Sequence, residues 1–210
     1  MKQGYLSQAW LVLVMALCVG AALAGVHVTL NDLIVNNAEA DALSRVPSLI
    51  PAADPDKTRA TRPETIEVPK DGGTRDYRAY RAIDKDGRLV GWVIKAGGEG
   101  FAGRIELLIA VDPAAGTILG LAVLEQKESP TIGDKIARPD FQNRFANKKT
   151  HPELAVVKGE PKAANEIRAL TGATISSRAV TSIVNEAVGD VAAELARRAS
   201  SPTVAAEGKP

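Results

Sequence analysis

From Gln3 to Asn31 the chain carries no charged residue, and Ala9 to Val26 is almost wholly apolar. At helical rise a run of this length crosses the hydrocarbon core of a bilayer, about 30 Å thick. Two readings compete. Ala22-Leu23-Ala24 resembles the small-residue site at which a signal peptide is cut, whereas the apolar character continues through Val28 and Leu30, which favours an uncleaved anchor over residues 9–30. Lipoprotein processing at Cys18 is disfavoured because Leu17 stands where a small residue is wanted. Lys2 and the free amine precede the run and no basic residue follows it until Arg45, so the positive-inside rule keeps residues 1–8 in the cytoplasm and puts the bulk of the chain outside.

The rest of the composition removes whole classes of function. Lys and Arg number 26 against 25 Asp and Glu, so no strongly basic surface for nucleic acid is implied. Cys18 is the single cysteine and lies inside the apolar run, which leaves no disulfide and no thiolate-ligated zinc, haem or iron-sulfur site for the remainder. His27 and His151 are too sparse for the usual histidine-based metal or triad chemistry. No metal site and no catalytic residue is assigned, so redox chemistry here requires a bound organic cofactor.

Beyond the anchor, Leu30, Leu33, Ile34, Ala38, Ala42 and Leu43 predict a helix continuing from the membrane and ending between Ser44 and Pro51. Pro51, Pro55, Pro63 and Pro69 fall among many charges up to Gly73. That stretch is expected to be irregular or to hold a short edge strand. Residues 31–75 are therefore juxtamembrane helix and linker. Tyr77 to Ile83 and Leu89 to Lys95 flank Asp84-Lys85-Asp86-Gly87 as a hairpin, and Arg104 to Val111 and Thr117 to Leu124 repeat the pattern. Four successive strands favour an antiparallel sheet. Asp140 to Asn147 predicts a short helix with Phe141 and Phe145 on one face. Ser176 to Arg198 predicts a long one, with Val180, Ile183, Val184, Ala187, Val188, Val191 and Leu195 in a stripe that packs on the sheet. The fold class is thus α+β: an N-terminal transmembrane helix, then a domain over 76–198 with a mainly antiparallel sheet packed by helices. Residues 199–210 are expected to be a disordered tail.

Two glycine- or hydroxyl-rich segments invite a chemical reading. Gly98-Glu99-Gly100-Phe101-Ala102-Gly103 matches the G-x-G-x-x-G pattern of dinucleotide sites, but that fingerprint needs a helix after it and here a strand follows. It is discarded as a loop. Thr171-Gly172-Ala173-Thr174-Ile175-Ser176-Ser177 opens the long helix and sets hydroxyls and unpaired amides at its positive end, which suits a phosphate. The plain alternative is that Thr174, Ser176 or Ser177 only caps the helix.

Thr171-Gly172-Ala173-Thr174 resembles the S/T-G-A-T flavinylation motif of the FMN-binding domains in Rnf and Nqr redox complexes. Upstream, Glu128-Ser129-Pro130-Thr131-Ile132-Gly133-Asp134-Lys135-Ile136 is similar to the E-T-P-G-L-G-D-K-I segment of the same family. Order, separation and the N-terminal anchor agree, and the chain length resembles the G subunit of Rnf complexes more than the longer Nqr C subunit. The resemblance implies FMN joined covalently, as a phosphoester, to Thr174 by a separate magnesium-dependent flavin transferase. It also implies that Thr171, Gly172 and Ala173 shape the loop, and that Ser129, Ile132 and Gly133 approach the isoalloxazine. Glu128, which heads that segment, is included among the implied FMN contacts, against the solvated charge that is the ordinary state of a loop glutamate.

The implied role is an electron-carrying subunit of an ion-translocating ferredoxin:NAD oxidoreductase, not an enzyme alone. It would be single-pass in the bacterial inner membrane, with its main domain on the periplasmic side and other membrane subunits as partners. The alternatives are an FMN domain serving another extracytoplasmic reductase, or an assembly module without flavin. Two departures stand out. Arg168 replaces the Asp common three residues before the first motif hydroxyl, with Glu166 the nearest substitute carboxylate. Thr131 replaces a glycine, which asks for a backbone without positive φ.

Overall fold

The computed structural model describes residues 3–61, 63–70 and 73–200. Residues 1–2, with Lys2, and 201–210 of the expected tail lie outside the described residues. The chain divides into two compact units, Met1–Asp41 and Ala42–Pro210. Helix α1 (Gln3–Leu49) supplies the first unit and the opening residues of the second. Its segment Ala9–Leu30 is long and apolar enough to cross a membrane and is not buried against protein. The side chains of Leu33, Ile34 and Ala38, expected on the helix's apolar side, lie outside those described. Pro47 falls in the last turn, where the helix can stop soon after the lost amide.

The second unit is built on a six-stranded antiparallel sheet in which every neighbour in sequence is a neighbour in space, in the order β1 to β6. The linker is more ordered than expected. Pro55–Ala60 forms α2, because the Asp54 carboxylate accepts the amides of Asp56 and Lys57 and Pro55 occupies the first turn. Then β1 (Glu64–Lys70) forms the expected edge strand. The predicted hairpins are present as β2 (Gly73–Ile83) with β3 (Leu89–Glu99), and β4 (Arg104–Val111) with β5 (Thr117–Gln126). Both run past their apolar segments, so β3 takes in Gly98 and Glu99 and residues 100–103 form the turn into β4.

Period-two alternation splits the side chains between two cores. Tyr77, Trp92, Ile94, Leu107 and Ile109 face the long C-terminal helix, whereas Tyr80, Val93, Leu108 and Ala110 face Ala42, Val46, Leu49 and Ile50 at the end of α1. With both faces covered, β3 and β4 read as near-continuous apolar runs. After β5 come a 3-10 turn over Gly133–Ala137, α3 (Pro139–Gln142) and a second 3-10 turn over Asn143–Phe145. Phe141 and Phe145 meet edge to face at 5.5 Å under the sheet. Three short strands follow: β6 (Lys148–Lys149) on the sheet edge, then the parallel pair β7 (Ala155–Val157) and β8 (Glu166–Arg168). Helix α4 runs from Thr174 to Ser200, which takes Ala199 and Ser200 out of the expected tail.

The C-terminal end of α4 is fixed to the sheet by charge. Glu64 accepts from the Arg81 guanidinium and, at 2.8 Å, from Arg198. Burial alone pushes the Glu64 carboxyl up, but the hydrogen bonds and charges of Arg81 and Arg198 outweigh it and hold the group below the usual carboxylate range. A folded-state pKa below the unfolded one contributes stability above the unfolded pKa, which is lost as pH falls through the folded pKa. Urea unfolding of the detergent-solubilised chain should therefore show Glu64→Gln less stable than wild type at pH 7. The gap should close progressively below about pH 4; a gap of constant size down to pH 3 excludes this linkage.

Candidate functional site

Three segments distant in sequence meet at one carboxylate. The Oε1 of Glu128 accepts the amide of Phe101 at 2.6 Å and that of Ala102 at 3.4 Å, both in the β3–β4 turn. Its Oε2 accepts the Ser176 hydroxyl, in the first turn of α4, at 2.8 Å. Glu128 is only 7% exposed, so it is wrapped by protein and neither solvated, as a loop glutamate ordinarily is, nor on the cleft as a ligand contact. Its neighbours leave no room for more atoms: a Cβ on Gly100 would lie 1.9 Å from Oε1, and one on Gly133 would lie 2.6 Å from Oε2. Glycine at these two positions is what lets the turn and the 129–133 loop close on the carboxylate.

On the solvent side of this junction lies a cleft of about 280 Å³. Its walls are Phe101 from the turn, Ser129, Ile132 and Gly133 from the loop, and residues 172–176 from the start of α4. Phe101, Ile132 and Ile175 are 62%, 50% and 56% exposed. Outside the apolar part of α1 they are the exposed large hydrophobic residues among those described. Their convergence on one cleft is the feature of a surface that meets an apolar ligand or partner.

Thr174 is the first residue of α4 and lines this cleft, half-buried. The hydroxyls of its neighbours tie the start of the helix to the segments around it. The Ser177 hydroxyl, fully buried, accepts the Leu170 amide at 3.0 Å and donates to the Ala173 carbonyl at 2.8 Å, while Ser176 is committed to Glu128. Thr174 makes no side-chain hydrogen bond among the described residues, so its hydroxyl is not the cap. The preceding loop, with Gly172 at positive φ, is clamped by Arg144, which donates to the carbonyls of Arg168 at 2.6 Å and Ala169 at 3.5 Å.

Of the residues singled out in sequence, the structure brings Ser129, Ile132, Gly133, Gly172, Ala173 and Thr174 together on the cleft. Glu128 stands behind the wall, and Thr171 is exposed without lining it. Phe101, Ile175 and Ser176 are additional lining residues. An exposed Phe inside a glycine-rich turn was the available signal for the first. Thr131 overturns an expectation: its φ is +65°, so the glycine-like conformation persists with a β-branched residue in it. The Ser129 carbonyl keeps it there by accepting the amides of Ile132, Gly133 and Asp134. Glu166 is unavailable as a substitute carboxylate. It accepts the amides of Lys162 and Ala163, which hold it below the usual carboxylate range. Arg168 pairs with Glu160.

Residues 100–189 match the FMN-binding domain family. The chain is 37% identical over 122 residues to the G subunit of the proton-translocating ferredoxin:NAD(+) oxidoreductase complex of Clostridium ljungdahlii, a match covering 58% of this chain and 63% of that one. It is 31% identical over 132 residues to the G subunit of the ion-translocating oxidoreductase complex of Methanosarcina acetivorans, covering 63% of this chain and 68% of the relative. Among solved structures it resembles NqrC of Shewanella oneidensis with a TM-score of 0.54 and 25% identity, over 71% of this chain and 72% of the other. The chain thus spans 63% of the length of the first of these relatives.

Glu128 and Thr131 yield opposite stability changes. Glu128→Ala strands the Phe101 amide and the Ser176 hydroxyl and should cost about 1–3 kcal/mol. Glu128→Gln keeps an acceptor for the amide and a donor for Ser176, and should cost less than half as much by urea denaturation. Thr131→Gly removes a side chain from the left-handed region, worth roughly 1–2 kcal/mol, against a smaller entropic penalty. It should raise the melting temperature, and a fall would show that φ is not strained there.

Proposed function

The chain belongs to the family of G subunits of ion-translocating oxidoreductase complexes, and we propose that it is the membrane-anchored electron carrier of such a complex, with FMN esterified to Thr174. The observation that carries this reading is the Thr174 hydroxyl, without a hydrogen-bond partner among the described residues, on the wall of the cleft that gathers the exposed apolar side chains of the folded unit. The residues present fit the group. Phe101, Ile132 and Ile175 offer apolar walls for a flavin ring. The first amides of α4 lack intrahelical acceptors and favour a phosphoryl group beside Thr174. FMN, when bound, takes up two electrons and releases them singly.

In this reading a separate flavin transferase delivers an activated flavin nucleotide. The Thr174 oxygen bonds to its phosphorus as the leaving group departs with the bonding electron pair, and the hydroxyl proton passes to a base of the transferase. In this reading the acid–base work belongs to the transferase. Ser129 and the backbone of the 129–133 loop hold one side of the ligand, and 171–174 shape the attachment loop. Ala9–Leu30 is the anchor, with the domain on the extracytoplasmic side. Ferredoxin and NAD bind other subunits, and electrons reach this chain through neighbouring carriers.

Co-expression with a flavin transferase, followed by denaturing electrophoresis and intact mass, tests the attachment. Wild type is expected to fluoresce in the gel and to gain the mass of an FMN phosphoester, and Thr174→Ala to do neither while keeping its melting temperature. A folded wild-type chain without label would leave noncovalent flavin or a cofactor-free assembly module.

A further inference from the structure

The start of α4 breaks the usual charge rule for a helix. The positive end of the macrodipole favours acidic side chains in the first turn and disfavours cations. Yet the first turn of α4 has no acidic residue, and Arg178 places a guanidinium one turn after Thr174. Arg178 is exposed, and among the described residues it makes no hydrogen bond or ion pair. Other arginines near the two ends of this helix are committed: Arg144 to the 168–169 carbonyls, Arg168 to Glu160, Arg198 to Glu64 and Glu194. A local rule broken with no compensating contact points to function.

We propose that Arg178 is the residue that holds the phosphoryl group of the flavin nucleotide, both before attachment and in the Thr174 ester. This rests on the proposed function only in taking the cleft as the flavin site. Residues four apart share a helix face, about 6 Å between Cβ atoms, and long helical side chains lean toward the N-terminus. The guanidinium therefore sweeps the turn that carries Thr174. Arg178 lines a shallow recess that adjoins the cleft through Ile175, a wall of both.

The charge balance requires such a group. Glu128 already lies behind Ser176 at this helix end, so a phosphoryl group brings a second negative charge into the same neighbourhood. Arg178 offsets it with a planar donor array suited to phosphate oxygens. Two carboxylates face the same recess, Glu99 and Glu186. Glu186 is engaged by Lys70 and Arg75, which leaves Glu99 as the competing partner for Arg178.

The test uses the full-length chain in detergent, made without a transferase and titrated with FMN and with riboflavin, which lacks the phosphate, by quenching of flavin fluorescence. Wild type should prefer FMN. Arg178→Gln should weaken FMN binding on the order of five- to tenfold and leave riboflavin binding unchanged, and Arg178→Lys should keep most of the preference. Added salt should narrow the wild-type preference toward that of Arg178→Gln. Equal FMN-to-riboflavin ratios in wild type and Arg178→Gln, a parallel loss for both flavins, or no flavin binding at all would each overturn the proposal. An Arg178-dependent preference in a chain that never becomes labelled would uphold this contact while sinking the ester at Thr174.

Discussion

The site exists because one carboxylate is buried where three segments need a common partner. Removing a charge from water is costly unless hydrogen bonds replace the lost solvation. Glu128 has two backbone amides and a hydroxyl for this purpose. The donors lie 27, 26 and 48 residues away in sequence, so the contact forms only when the β3–β4 turn, the 128–133 loop and α4 have all reached their places. The cleft is the outer surface of that junction. Phe101, Ile132 and Ile175 stay exposed because the backbone beneath them, not their own burial, fixes their positions. An apolar ligand can then meet these side chains without reorganising the fold.

Helix α4 carries this arrangement because both of its ends are pinned and its middle is packed. Val180, Val184, Ala187, Val191 and Leu195 form the stripe against the sheet. Toward the C-terminal end, Tyr77 donates to Asp190 at 2.7 Å, Lys70 and Arg75 reach Glu186, and Arg198 reaches Glu64. Burial, with that donation to Asp190, pushes the Tyr77 hydroxyl up to about 12 despite the nearby Arg75, so the bridge stays intact through the neutral range. At the other end Ser177 ties the helix to Leu170 and Ala173. Sliding of α4 along the sheet, which would displace Thr174 from the cleft, has to break contacts at both ends together.

Much of the scaffold was legible because it depends on local pattern. Strand-forming runs at 77–83, 89–95, 104–111 and 117–124, bounded by turn residues, marked four strands, and the 3.6-residue stripe marked α4. What escaped depends on partners or on brevity. Helix α2 hid in a proline-rich linker although Asp54 and Pro55 formed a start signal. Strands β7 and β8 are three residues each, too short for any period. The burial of Glu128 was unreadable because its donors are remote. Thr131 was misjudged for a different reason: the residue type suggested an extended backbone, whereas three amides converging on the Ser129 carbonyl dictate a left-handed one. Remote hydrogen bonds in the first case, and bonds within the loop itself in the second, overrode the preference of the single residue.

These overrides are concentrated at the cleft. A β-branched residue at positive φ, a buried carboxylate, exposed aromatic and aliphatic side chains, and a cation on the positive end of a helix each work against stability. Other departures occur elsewhere in the folded unit, at Ala115 and Asn147 with positive φ and at the buried Trp92 indole nitrogen, which has no hydrogen-bond partner among the described residues, while apolar groups lie under both sheet faces and Glu64 and Glu186 sit with cations. The departures that border the cleft differ in one respect: binding energy there can offset costs that folding alone would have to bear.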